Sequence, residues 1–159
     1  TIHHSANIAR STNYSTIAAT IRSIQHAHIS NNGWGDIGYH FLIDPAGRIW
    51  QGRHLGYQGA HAGGVNNHHN IGICLLGKFT GGGQAPNTNQ VRAMTDLVQW
   101  LRTQHRIPGN AVLTHKEIKA QTLCPGSKLQ AEVNRMRRRY ASNRPQATSR
   151  LGLASGGGR

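Results

Sequence analysis

The chain has 159 residues, with 18 lysines and arginines against five acids and a net charge of +13, which is length enough for one domain with a real core. Two cysteines are too few for a disulfide-stapled scaffold, and no apolar run approaches the roughly 18 residues that a membrane span needs. So large an excess of positive charge calls for an anionic partner, whether nucleic acid, acidic cell-wall polymer, or a lipopolysaccharide or phospholipid surface.

In chain order, Thr1 to Ser5 reads as a strand. Because it begins at the first residue and is not a Met, the sequence is expected to be cropped or processed, with any targeting segment out of view. After a polar loop at Ser11 to Tyr14, the spacing of Ile17, Ile21, Ile24 and Ala27 predicts an amphipathic helix over Thr16 to His28, with Ser15 as N-cap. His26 and His28 fall beside that stripe and read as surface residues. Asn31 to Asp36 is a loop by composition. Ile37 to Ile43 and Arg48 to Arg53 form a hairpin around Asp44-Pro45-Ala46-Gly47, with Tyr39 and Phe41 on one face of its first strand and His40 and Leu42 on the other. Residues 54–70 make a loop rich in Gly, Asn and His, of a length that in a compact domain points to function. The apolar run Ile71 to Leu76 reads as a central strand buried on both faces. A loop from Gly77 to Pro86 leads to a helix over Gln90 to His105, capped by Thr88, with Val91, Met94, Leu97, Val98 and Leu101 along one side. Pro108-Gly109 ends it, Ala111 to Thr114 is a short strand, and a shorter helix after Ser127 presents Leu129, Val133, Met136 and Tyr140. The basic, Gly- and Ser-rich tail, 141–159, is expected to be disordered. Strands interleaved with two long helices and a shorter one predict an α/β fold with a mixed central β-sheet over residues 1–140, and in such sheets sites collect in loops beyond the strand ends.

Those loops hold the chemistry. His115 follows the short strand, and nine positions later Cys124 stands before the turn pair Pro125-Gly126. Imidazole and thiolate are donors that zinc prefers, and a catalytic zinc takes three protein ligands and leaves a fourth position open. A third donor is available at the start of the chain, where His3 and His4 are neighbours on a strand. Adjacent strand residues face opposite ways, so one of the two can aim at the site, and spacing does not say which. The acids narrow the chemistry further. Asp44 falls in the hairpin turn and Asp96 and Glu132 on helices, which leaves only Asp36 and Glu117 near the loops. Glycoside hydrolysis needs a flanking carboxylate pair, so metal-driven hydrolysis fits better. Cys74 is expected to be buried in its strand. No helix-turn-helix, zinc-finger pattern or aromatic-basic platform is present, and nucleic acid is not an expected partner.

Six motifs occur in order: Ile2-His3-His4-Ser5-Ala6; Trp34-Gly35-Asp36-Ile37-Gly38-Tyr39-His40-Phe41-Leu42-Ile43; Gln51-Gly52-Arg53; Gly59-Ala60-His61-Ala62-Gly63-Gly64; Asn70-Ile71-Gly72-Ile73-Cys74-Leu75-Leu76-Gly77; and His115-Lys116-Glu117 with Thr122-Leu123-Cys124-Pro125-Gly126. Together they resemble the type-2 N-acetylmuramoyl-L-alanine amidases, a family of phage lysozyme-type amidases and animal peptidoglycan recognition proteins. The resemblance covers residues 1 to about 140. It implies that family's fold, a zinc cofactor, and hydrolysis of the amide between N-acetylmuramic acid and L-alanine in peptidoglycan. A monomer acting at the bacterial cell wall is then expected, periplasmic, secreted, or released as a phage endolysin, with bacteriolytic, antimicrobial effect.

Carried over residue by residue, the resemblance puts the zinc ligands on His3, His115 and Cys124, choosing His3 over His4, and the active-site tyrosine on Tyr39. Phage members carry a lysine two positions before the cysteine; here Thr122 stands there, as in many recognition proteins with amidase activity, so Tyr39 or Thr122 is expected to hold the attacking water or the oxyanion. Glu117 is expected to orient a histidine ligand, and Asp36 to hold its own loop's backbone. His61 is placed at the cleft rim against substrate, and Trp34, Arg53 and Asn70 are candidates for gripping glycan, peptide carboxylate and peptide backbone. His54, His68 and His69 are left to solvent. The alternative is a non-catalytic peptidoglycan-binding module, although such relatives typically lose the cysteine that is present here. The disulfide frequent in the animal proteins has no cysteines to form it, which favours a bacterial or phage origin. Lastly, eight basic residues against one acid, Glu132, lie from Lys128 onward, so the basic helix around Arg135 to Tyr140 is expected to approach an anionic envelope surface, lipopolysaccharide or acidic wall polymer.

Overall fold

The computed structural model describes residues 1–142. Its four strands, β1 (Ile2–His4), β2 (Phe41–Ile43), β3 (Ile49–Gln51) and β4 (Ile73–Leu75), form one sheet in the order β1-β4-β2-β3. The apolar run read as a central strand is central: β4 pairs in parallel with β1 on one side and β2 on the other, and β3 closes the edge antiparallel to β2. The sheet is therefore mixed, as expected.

Alternation along β4 divides the core in two. Ile73 and Leu75 join Ile2, Ile43 and the apolar sides of α2 (Thr88–His105) and α4 (Ser127–Ser142). Cys74 and Leu76 turn the other way, towards Leu42, Ile37 and Ile17 of α1 (Tyr14–Asn32). No strand among the described residues exceeds three residues, so the ladder alone is weak. The layers are held by burial of side chains such as Leu75, Met94, Leu129 and Val133, at about 1.5–3 kcal/mol for each large apolar side chain. The hairpin has its own pin in fully buried Asp44. Its carboxylate accepts from Arg48 Nε at 2.6 Å, Trp50 Nε1 at 2.8 Å and the Ala46 amide at 2.8 Å.

Four local expectations are corrected. Asn13, not Ser15, caps α1, accepting from the Thr16 amide at 3.0 Å, and the helix runs on to Asn32, where left-handed Gly33 (φ 68°) ends it. Asn87, not Thr88, caps α2, in a capping box with Gln90. Ala111 to Thr114 is no strand. A 3-10 turn occupies Gly109–Ala111 and only Thr114 bridges Ile2, because the Thr114 amide is taken at 2.8 Å by the Glu117 carboxylate as N-cap of the single-turn helix α3 (His115–Ile118). Finally, Tyr39 does not share a face with Phe41: Tyr39 packs with Leu42's cluster and Phe41 with the opposite one. The amides of His40 and Phe41 both donate to Gly72 O, at 2.9 and 3.1 Å. Two residues against one is the count of a β-bulge, which shifts the alternation by one and re-aims Tyr39. The tail expected to be disordered lies, from 143 on, outside the described residues.

Candidate metal centre

Strand β1 places His3 in register with Cys74, on the α1 side of the sheet, where it is 1% exposed. His4 points the opposite way, its Nδ1 accepting from the Phe79 amide at 3.3 Å, so strand alternation separates the two histidines. His115 opens α3, whose start is fixed by the Thr114–Glu117 capping box. The chain then returns so that the Lys116 amide donates to Cys124 O at 2.8 Å, while Gly126 (φ 91°) lies against the Phe79 backbone with room for no side chain, an added Cβ falling 2.4 Å from it. These contacts bring together what sequence separates. Among the described residues, His3, His115 and Cys124 are the one set of three such side chains whose ligand atoms lie within 4.8 Å of one another. His3 Nδ1 stands 3.6 Å from Cys124 Sγ.

The electrostatics suit a soft cation. Burial, then the neighbouring His61 and His115, hold His3 well below its ordinary pKa, and burial, then Lys119, lowers His115; both imidazoles are neutral at pH 7 with lone pairs to give. Burial pushes the Cys124 thiol up to about 11, so a bound cation would have to displace its proton. Two neutral imidazoles and a thiol, partly buried and converging on one point, are the donor set that zinc accepts.

The same burial has a consequence for the metal-free protein. His61 is lowered from 6.5 to about 3, with His28 and His40 also lowered, in each case chiefly by desolvation. A folded state that resists protonation is at full stability above the unfolded pKa and loses it as pH falls towards the folded value. The metal-free protein should therefore weaken from pH 6.5 downwards, by about 1.4 kcal/mol per pH unit from His61 alone. Urea unfolding at a series of pH values checks this, and a flat profile below 6.5 would refute it.

A cleft of about 410 Å³ opens over the three side chains, and Tyr39, His61 and Thr122 line it. The Tyr39 ring lies 5.3 Å from that of His3. Burial, and after it the Cys74 and Cys124 thiols, push its phenol well above its ordinary pKa, so the hydroxyl keeps its proton. Thr122 Oγ1 accepts from the Cys124 amide at 3.1 Å, which leaves its own O–H to donate. A larger groove, about 810 Å³, runs between the 55–71 loop and α2 but holds none of the three candidate ligands.

The other predicted site residues divide. His61 lines the cleft but is only 8% exposed, its Nδ1 3.0 Å from His3 Nε2. Trp34 packs its ring on His28, 4.8 Å away. Arg53 places its guanidinium on three backbone carbonyls, Ile37, Asp36 and Gln58, at 2.7–2.9 Å, fastening loops to one another. The Asn70 side chain accepts from Thr1 Oγ1 and donates to Asn66 O, both at 2.7 Å. Glu117 directs its carboxylate to Thr114, Gln130 and Arg137 rather than to a histidine ring. Asp36 accepts from the Ile37 amide at 2.6 Å, within its own loop as expected. His54, His68 and His69 are exposed.

Sequence reasoning missed two histidines. His28, read as surface, accepts from the Gly38 amide at 3.0 Å and packs 5.6 Å from Tyr39. His40 accepts from Gly72 N at 3.0 Å, with its Nε2 3.1 Å from Tyr57 O, tying the long loop to β4. A histidine that only fills a hydrogen-bonding slot leaves no mark in periodicity.

Residues 1–127 match the family model described as N-acetylmuramoyl-L-alanine amidase. The chain is 33% identical over 131 residues to a Sus scrofa N-acetylmuramoyl-L-alanine amidase, covering 80% of this chain and 21% of that protein. It is 34% identical over 119 residues to the peptidoglycan-recognition protein SD of Drosophila simulans, covering 74% and 62%. The chain thus spans less than two thirds of either relative. Among solved structures, Drosophila PGRP-SD superposes with a TM-score of 0.75 at 31% identity, covering 84% of this chain and 76% of that one. A tyrosine-to-phenylalanine variant of Drosophila PGRP-LB in complex with tracheal cytotoxin gives 0.75 at 30%, covering 84% and 77%. The amidase LysC from Clostridium intestinale gives 0.69 at 27%, covering 85% and 81%.

Proposed function

The chain belongs to the N-acetylmuramoyl-L-alanine amidase family, and from that membership we propose that it is a zinc-dependent hydrolase of the amide joining N-acetylmuramic acid to L-alanine in peptidoglycan. The observation that carries this reading is the convergence of His3, His115 and Cys124 beneath an open cleft. A pure binding module has no use for a buried thiol and two neutral imidazoles at one point. All three come from one chain, so a monomer suffices.

Zinc held there supplies a Lewis acid that polarises the amide carbonyl and lowers the pKa of water towards about 7. The protein's own groups do the rest. Tyr39 keeps its proton through burial and so has an O–H to donate, and its hydroxyl stabilises the oxyanion as negative charge grows on the carbonyl oxygen. Thr122, fixed through the Cys124 amide, offers a second hydroxyl beside the same site, where phage members carry lysine. No carboxylate of the described residues lines the cleft, so Glu117 acts at a distance, by setting the start of α3 and with it the position of His115.

At the level of the whole protein, action at the bacterial cell wall follows from the substrate. The net charge of +13 favours approach to an anionic envelope or acidic wall polymer, although Arg137 and Arg135 of the basic helix are turned to Glu117 and Glu132. No described helix is long and apolar enough to cross a membrane.

The test uses a soluble N-acetylmuramoyl peptide. The purified protein should release a new L-alanine amino terminus, lose that activity on treatment with a chelator, and regain it with zinc. Binding of the peptide without release, in a zinc-loaded sample, would leave only the recognition-module reading.

A further inference from the structure

We propose that His61 is a positioning residue of the metal centre: it fixes the tautomer and ring orientation of His3, so that His3 presents Nδ1 to the cation. This rests on the zinc reading above and assigns to His61 a task other than gripping substrate.

The hydrogen bonds determine the proton positions. His61 Nε2 lies 3.1 Å from Asn70 O, and a carbonyl only accepts, so that nitrogen carries the hydrogen. In a neutral ring the other nitrogen, Nδ1, is then an acceptor. It faces His3 Nε2 at 3.0 Å, so His3 must donate there, and the lone pair of neutral His3 is left on Nδ1. That is the nitrogen which stands 3.6 Å from Cys124 Sγ. One carbonyl, through one intervening imidazole, thereby selects which His3 nitrogen is available to a metal.

The surroundings are shaped to this ring. Asn67 Oδ1 accepts from the amides of His61 and Ala62 at 2.9 and 2.8 Å and sets the backbone beneath it. A Cβ at Gly72 would sit 2.4 Å from His61 Cδ2, and one at Gly59 2.6 Å from the same atom. Glycine at both positions leaves the ring its space. Only 8% of His61 is exposed, so little of it is left to meet a substrate. Partners that orient a metal-bound histidine typically change metal affinity by about 10–100-fold when removed.

The experiment compares the full chain with His61→Ala and His61→Gln. Gln retains a carbonyl acceptor for the His3 N–H. Zinc dissociation constants come from competition with a chromophoric chelator, the cobalt(II) absorption spectrum reports ligand geometry, and KM is measured on a soluble muramoyl peptide. The expected result is weakening of zinc binding by about 10–100-fold in His61→Ala, with an altered cobalt spectrum, and recovery of most of the affinity in His61→Gln. If both variants bind zinc as the parent does and only KM rises, His61 is a substrate contact and the inference is wrong. If His61→Ala fails to fold, His61→Gln decides: parental zinc affinity and cobalt spectrum with parental KM support the relay, and either parental zinc binding with a raised KM or weakening as large as that expected for alanine overturns it. Failure of the parent chain to bind zinc at all would instead sink the functional reading on which this one stands.

Discussion

Replacing Cys124 by serine is expected to abolish hydrolysis while leaving peptidoglycan binding in place. Zinc content should fall from one per chain to a trace, and kcat/KM by about ten-thousand-fold or more, which corresponds to roughly 5.5 kcal/mol of lost transition-state stabilisation. The reason is chemical rather than steric. A thiolate is a soft donor that reaches zinc at about 2.3 Å, whereas a serine hydroxyl is a poor donor that keeps its proton near neutral pH. The thiol contributes little else: it accepts from the His4 amide at 3.5 Å and stands 3.6 Å from His3 Nδ1. The fold, held by the two apolar cores, should survive, and circular dichroism together with peptide binding checks that it has. Undiminished amidase activity in a variant free of zinc would remove the metal from the mechanism.

Tyr39→Phe should have the next largest effect and of a different kind. The expected loss is about 100- to 1,000-fold in kcat, the range seen when one oxyanion donor is removed, with zinc content unchanged and KM within about threefold. Buried as it is, the phenol stays protonated through the accessible pH range, so the pH profile of the parent enzyme should show no limb belonging to Tyr39. Phenylalanine keeps the ring that packs against His3 and His28, so any loss reports the hydroxyl alone. A rise in KM at unchanged kcat would make Tyr39 a substrate grip instead.

Neither variant would have been designed in this form from spacing alone. The His-x8-Cys interval gives two candidate ligands but no choice between His3 and His4. The resemblance made that choice, and strand alternation supplies its physical basis, since β1 sends His3 towards Cys74 and His4 towards Phe79. Tyr39 shows the opposite case. Strict alternation from Phe41 puts its side chain on the wrong face, and the bulge against Gly72 O corrects it. A bulge adds one unpaired residue, and no composition rule locates it. Arg53 and Asn70 look like substrate grips in a list of loop residues, yet both spend their polar groups on backbone carbonyls and nearby side chains of this same chain.

By itself the sequence determined the helix stripes, the central strand and two candidate metal donors, His115 and Cys124, because those depend on residue type and on periods of 3.6 and 2 that are local. Only the tertiary structure decided which nitrogen of His3 is left free, which face Tyr39 meets and that His61 is buried. Each of these turns on a partner beyond the reach of strand or helix periodicity: Cys124 and His61 for His3, Gly72 for Tyr39, Asn70 and Gly72 for His61. Hydrogen-bond direction and burial are properties of pairs brought together by folding, and a one-dimensional pattern carries no record of them.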